Sequence, residues 1–353
     1  MKKNIAVIYG GQSAEHSVSL KSAEFVLKSL DQTQYTPYAI VIEKESGLWY
    51  LQPKLTFPLL EVNTAPENLV SLLPDHKLYH VHTKVVSDVI DVVFPVLHGP
   101  NGEDGTLQGL LQLIGLPFVG ANCLGSAVGM DKDVSKRLLR EAGIPIAPFK
   151  TVRHHELETV NTTELLKDIG LPCFVKPANM GSSYGISKVN KAEDLHAAIV
   201  LAFKYDHKVL IEAAIVGREL ECSVMGNDFP MVTNPCEIKV TREYYDFTAK
   251  YDDNGGTEFI IPAVIEPALQ EKIKALALKT YFCLDCRGMA RVDCFLTKDG
   301  TVYINELNTI PGFTAMSMYP RMWQASGVDG PALVKKLIDY AFEAFDQQQN
   351  LLV

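Results

Sequence analysis

Arg291, Asp293, Glu306 and Asn308 stand in the stretch RVDCFLTKDGTVYINELN, where Asp299-Gly300 between two alternating runs predicts a β-hairpin. With Lys298 facing Thr301 across a two-residue turn, counting outward sets Asp293 opposite Glu306 and Arg291 opposite Asn308. Period-2 alternation puts these four on one face and leaves Val292, Cys294, Leu296, Tyr303, Asn305 and Leu307 on the other. Carboxylates directly opposite each other, with Cβ atoms about 4.5–5.5 Å apart, cost about 0.2–1 kcal/mol, so a cation between them is expected. Oxygen donors of this kind suit Mg²⁺, which takes one or two carboxylates and keeps positions for water and phosphate. Two metals beside Arg291 would suit phosphoryl transfer. The plain alternative is a surface salt-bridge cluster.

Three further segments carry polar groups at positions where ligands bind. The loop NMGSSYG, preceded by Lys176-Pro177, joins glycines, hydroxyls and a lysine, a set able to cradle phosphate; it is not a Walker A loop, and a simple hairpin turn is its alternative. Glu15, in GGQSAEHSVSL, lies at a strand-to-helix junction, and His98 follows a strongly apolar strand. Both are rim positions at the C-terminal ends of strands, where open α/β sheets bind ligands. Helix support for Glu15 and a hydrogen-bonded loop role for His98 are the structural readings. The polar stretch from Tyr244 to Tyr251, before Asn254-Gly255-Gly256, reads as a lid or a solvated loop.

These groups need elements to position them. KNIAVIYGG is a buried strand followed by a helix, YTPYAIVIE a second strand, and SDVIDVVFPVLHG one long strand. In GEDGTLQGLLQLIG, Leu107, Leu110, Leu111 and Ile114 form a helical stripe that Asp104 or Thr106 can cap, and LPFVG is another short strand. The pattern gives a parallel α/β domain over residues 1–125. DKDVSKRLLREAG is a helix, and Pro145 and Pro148 mark a link. A small α+β unit follows to residue 215, built from the glycine-serine loop with its two strands, a helix at KAEDLHAAIVLAF and a strand at KVLIEAAI. Residues 216–353 supply short strands, the polar loop, a helix near 266–284, the hairpin and a last helix.

Composition bounds the function. The 353 residues are 47% hydrophobic and 21% charged, as in a globular enzyme. A net charge of −9 argues against a nucleic-acid binder. The chain shows neither a signal-peptide core nor a membrane span. Seven cysteines fit a reducing cytoplasm; Cys283-x-x-Cys286 lacks the second pair of a zinc site.

Taken in order, GGQSAEHSVSL, HGPNGEDGTLQGLLQLIGLPFVG, VKPANMGSSYGISKV, VLIEAAIVGRELECSV, YYDFTAKY and ARVDCFLTKDGTVYINELNTIPGFTAMSMYP resemble the D-alanine:D-alanine ligases of the ATP-grasp superfamily, over nearly the whole chain. The resemblance implies a three-domain ATP-grasp fold and ATP-dependent joining of two D-alanines through an acyl phosphate, for peptidoglycan synthesis. No protein nucleophile is needed, in keeping with the lack of a Ser/His or Cys/His set. It implies that Glu15, linked to Ser182 and Tyr251, anchors the ammonium of the first D-alanine, with His98 lining the subsite. Lys136, Lys176, Ser182, Ser183 and the lid residue Lys250 would serve the ATP phosphates; Glu212, Ala214 and Ile215 adenine; Glu219 ribose. Arg291 and the Gly312 N–H would stabilise the oxyanion, Asp293, Glu306 and Asn308 would bind two Mg²⁺ or Mn²⁺ ions, and Ser317 with the Met318 backbone would hold the second carboxylate. Tyr251 stands where D-lactate-using relatives usually carry histidine, which favours the dipeptide. Tyr184 and Ala214 depart from the family pattern in loop packing and beside adenine. A cytoplasmic homodimer is implied.

Overall fold

A computed structural model describes residues 2–59, 62–240 and 257–351. The first sheet pairs Lys3–Gly10 in parallel with Tyr35–Ile42 and with Val92–Pro95, and Trp49–Leu51 adds an antiparallel edge. Both faces of Lys3–Gly10 are apolar because both are covered. Ile5, Val7 and Tyr9 meet helices His16–Ser29 and Gly330–Gln349, whereas Ala6 and Ile8 meet helix Thr106–Leu113 and a small sheet. Helix Gly330–Gln349 thus packs against the first sheet, far from it in sequence. Of the expected stripe, Leu107 and Leu111 are buried, whereas Leu110 is exposed.

The small sheet, Val70–Leu73, Lys77–His80 and Val85–Val89, corrects the single long strand expected at SDVIDVVFPVLHG. Ile90-Asp91 separates two strands in different sheets. There Asp91 exchanges bonds with Asn4, its N–H donating to the Asn4 carbonyl and its carboxylate accepting from the Asn4 N–H.

The central sheet is antiparallel, ordered Ser187–Val189, Cys173–Pro177, Lys208–Ala213, Phe149–Arg153, and it buries helix Leu195–Ala202 on one side. Strand Phe149–Arg153 lies within what the sequence presents as a link. The C-terminal sheet places Arg218–Met225 between Cys236–Val240 and Met289–Leu296, with Val302–Asn308 at the edge. Leu220, Cys222, Val224, Val292 and Cys294 pack with helix Pro267–Cys283.

In the hairpin, the Thr297 N–H donates to the Thr301 carbonyl, so the loop has three residues, Lys298 to Gly300, with Gly300 at φ +81°. Pairing then runs Leu296 with Val302, Phe295 with Tyr303 and Cys294 with Ile304. A bulge beyond Cys294 adds one residue and restores Asp293 opposite Glu306 and Arg291 opposite Asn308. Val302 and Ile304 therefore enter the core, not Tyr303 and Asn305.

Candidate active site

Residues far apart in sequence converge from the first, central and C-terminal sheets and the loops beside them. Arg291 forks onto Asp293, with Nε 2.7 Å from Oδ1 and Nη2 2.7 Å from Oδ2. The Asn308 amide donates to Asp293 Oδ2 at 3.0 Å. From the neighbouring strand, Glu221 lies opposite Asp293 and 3.2 Å from Arg291 Nε. Burial opposes the guanidinium charge, but Asp293 and then Glu221 outweigh it and hold the Arg291 pKa well above its ordinary value. Lys132 Nζ approaches Glu306 at 3.4 Å. The cation that the facing carboxylates call for is thus supplied by the protein's own Arg291 and Lys132, so their repulsion alone does not require a metal.

The donor types still fit a hard divalent ion. Among the described residues no group of three or more His, Cys, Asp or Glu side chains is gathered to hold a metal. A metal here would take two carboxylates and an amide oxygen, the small protein share that Mg²⁺ accepts beside water and phosphate.

Helix Lys132–Glu141 links this face to the glycine-serine loop. The Lys132 N–H donates to the Ala178 carbonyl at 3.0 Å, and its ammonium to the Met180 carbonyl at 2.8 Å. Ser182 and Ser183 follow at φ +48° and +62°, an unusual pair of left-handed non-glycine residues, and Ser182 Oγ donates to Glu15. That bond joins the loop to the start of helix His16–Ser29, which follows the first strand. The expected third partner, Tyr251, and the lid lysine Lys250 lie outside the described residues.

Glu212 receives both phosphate-lysine candidates. Lys136 Nζ is 2.9 Å from Oε2 and Lys176 Nζ 3.0 Å from Oε1. Burial alone would raise the Glu212 pKa, but Lys136 and then Lys176 pull it below the ordinary glutamate value. Burial pushes the Lys136 ammonium down against the pull of Glu212, and the Lys176 charge adds to that fall. The Ala214 N–H is spent on the Pro172 carbonyl, so an adenine contact at Ala214 falls to its carbonyl. Glu219 is partly exposed on the same sheet face as Glu221, and Ile215 is partly buried just beyond strand Lys208–Ala213.

His98 is buried, with Nε2 2.9 Å from Ser22 Oγ and Nδ1 3.0 Å from the Ile310 carbonyl. Burial lowers its pKa, against the pull of Glu15. Gly99, at φ +80°, carries no Cβ where one would come 2.9 Å from Glu15 Oε2. In the turn after Phe313, Ser317 Oγ accepts from the Thr314 N–H at 3.0 Å, and a Cβ on Gly312 would meet that oxygen at 2.8 Å. Met318 opens helix Met318–Ala325. Gly312 and Ser317 therefore lie side by side, with Met318 next in the chain.

Three charged residues that sequence reasoning passed over belong to this site: Lys132, Glu221 and Glu103. Glu103 Oε2 accepts from the Gly99 N–H at 2.7 Å. Burial, then the charge of Glu15, push its pKa from 4.5 up to about 8. The folded chain therefore keeps a proton that the unfolded chain releases, and this contribution to stability is present below pH 4.5 and lost as pH rises through about 8. His98, with its lowered pKa, acts oppositely, costing stability as pH falls. In thermal melts, Glu103→Gln should therefore remove part of the wild-type loss of stability between about pH 5 and about pH 8. Parallel pH profiles would contradict this assignment.

A parallel α/β unit joined to two antiparallel sheets, with lysines and carboxylates gathered between them, is an ATP-grasp architecture. Residues 4–121 match the family model described as D-ala D-ala ligase N-terminus, and residues 138–339 match D-ala D-ala ligase C-terminus. The D-alanine--D-alanine ligase of Shouchella clausii is 44% identical over 99% of this chain and 97% of its own. D-alanine--D-alanine ligase A of Escherichia coli strain K12 is 43% identical over 97% and 96%. Among solved structures, the VanG D-Ala:D-Ser ligase from Enterococcus faecalis gives a TM-score of 0.86 at 37% identity, covering 97% of this chain and all of that one. The D-alanine-D-alanine ligase from Coxiella burnetii gives 0.85 at 34%, covering 99% and 97%. The chain belongs to the D-alanine–D-alanine ligase family.

Proposed function

We propose that this protein joins two D-alanines to D-alanyl-D-alanine, converting ATP to ADP and phosphate, to supply a peptidoglycan precursor. The observation that carries the reading is the Glu15–Ser182 bond together with the Arg291–Asp293–Glu306–Asn308 face, which Lys132 ties to the same glycine-serine loop, in a member of this ligase family. Glu15 and Ser182 hold the ammonium of the first D-alanine beside His98, with Tyr251 as a third member. Lys136, Lys176, Ser182, Ser183 and Lys250 take the ATP phosphates, Glu212, Ala214 and Ile215 adenine, and Glu219 ribose. The carboxylate of the first D-alanine attacks the γ-phosphorus and ADP leaves. The amine of the second, held through Ser317 and Met318, then attacks the acyl carbon; the C–N bond forms, the C–O bond to phosphate breaks, and the amine's proton leaves with the phosphate. Arg291 and the Gly312 N–H stabilise the oxyanion of that second step. Asp293, Glu306 and Asn308 would hold Mg²⁺ or Mn²⁺, which when bound neutralises phosphate charge.

Three structural units (residues 1–125, 126–215 and 216–353), a homodimeric state and a cytoplasmic location complete the proposal. No helix among the described residues is long and apolar enough to cross a membrane.

The test is phosphate release with ATP and Mg²⁺, with products identified by mass. D-alanine alone should support release and give the dipeptide, whereas L-alanine should not. Because the VanG structure is named for D-Ala:D-Ser ligation, D-serine is included as second acceptor; a dominant mixed product would reassign the second subsite. ATP binding without release under any condition would overturn the reading.

A further inference from the structure

Glu221 has no part in the scheme above, yet it shares Arg291 with Asp293. Its side chain is 3% exposed, it lies opposite Asp293 in the sheet register, and its Oε1 is 3.2 Å from the same Nε that donates to Asp293. A buried carboxylate is costly unless paired, and so is a buried guanidinium. Asp293 has three of its roughly four lone-pair positions in use. Arg291 occupies both of its oxygens and Asn308 bonds to Oδ2. One lone-pair position remains on Oδ1, but a hard cation that draws on Oδ2, or on both oxygens, must displace the Arg291 fork. Were Asp293 its sole acid, Arg291 would then either compete with the cation or lose its place in the site.

Resting on the metal reading proposed above, we infer that Glu221 is a positioning residue: it keeps Arg291 on the acidic face while Asp293 turns to a divalent cation. The pairing on the page is two acids from adjacent strands on one guanidinium, of which only Asp293 also lies across from Glu306. Glu221 lets Arg291 yield an Asp293 oxygen without becoming an unpaired buried charge.

The experiment measures Mn²⁺ binding by electron paramagnetic resonance, with ADP and without D-alanine, so that no turnover is involved. Glu221→Gln, nearly isosteric, should weaken Mn²⁺ binding about 10-fold, because Arg291 then holds Asp293 alone. Arg291→Lys keeps the charge but cannot fork onto Asp293 while reaching Glu221. In that background, Glu221→Gln should change binding by less than about 2-fold. Thermal melts of all four proteins ensure that binding is read below every unfolding transition. An equal loss in both backgrounds would mean that Glu221 acts through charge alone, and no loss in the native background would mean that it does not position Arg291. Either result overturns the inference. Failure of the unaltered protein to bind Mn²⁺ would instead remove the metal reading, and the inference with it. With turnover as a second readout, the expected signature is a lower kcat and a higher Mg²⁺ requirement, with KM for D-alanine little changed.

Discussion

Asp293→Asn should lower the rate of phosphate release about 10³-fold, the loss typical of removing a group that organises an oxyanion donor or a metal. The side chain is 6% exposed and is the bidentate partner of Arg291. An amide has the same shape but offers one acceptor oxygen, and its NH₂ group would face a guanidinium N–H. Arg291 should then lean on Glu221, away from the Glu306 side of the face. If Asp293 holds a cation as proposed, the substitution also removes that ligand, and extra Mg²⁺ should restore only part of the rate. The reading is kcat at saturating substrates, with ADP binding measured by calorimetry to show that the site still forms. A variant within about 10-fold of the native rate would place the reacting phosphate elsewhere.

In the hairpin, Asp293 faces Glu306 and Arg291 faces Asn308 even though the loop differs from the one the sequence suggests. Asp299-Gly300 signals a turn but does not distinguish a two-residue from a three-residue loop. The three-residue loop shifts pairing by one position, and the bulge beyond Cys294 shifts it back. Between loop and bulge the faces are therefore reversed: Ile304 and Val302 fill the core in place of Asn305 and Tyr303. Apolar content favours this outcome, since Ile304 and Val302 bury aliphatic surface at no polar cost. The chemical residues beyond the bulge keep the alignment expected of them.

Other parts of the site lacked a local signature. Lys132 and Lys136 sit one helical turn apart on the same helix and meet different acids, Glu306 and Glu212. Only tertiary packing separates these roles. Glu221 alternates with apolar residues as any strand acid does, and its burial follows from the partner strand that carries Arg291. Glu103 directly precedes Asp104, a candidate helix cap, where an acid has a sufficient local explanation. By contrast Glu15, Ser182 and His98 occupy a junction, a glycine-rich loop and a strand end, places where sequence itself marks backbone brought close to ligand. Facing carboxylates at Asp293 and Glu306 do call for positive charge, and the cations present are side chains arriving from the same strand and from a distant helix.

Glu212→Gln should produce the largest loss of stability, about 3–5 kcal/mol, because it breaks a buried ion triad by removing its only anion. Lys136 and Glu212 side chains are 1% and 3% exposed, and Lys176 is 11% exposed. Neither ammonium can recover full hydration in place, and they repel each other across the neutral amide. Denaturant unfolding reads the loss. Inorganic tripolyphosphate then separates a purely structural triad from a phosphate site, because it offers the charge of ATP without adenine or ribose. In the native protein it must compete with Glu212 for the lysines; in Glu212→Gln it meets them without that competition and replaces the missing negative charge. Its stabilising effect should therefore be greater in the variant, in proportion to its tighter binding there. Equal stabilisation of both proteins would mean that Lys136 and Lys176 serve the fold through Glu212 and do not turn toward phosphate.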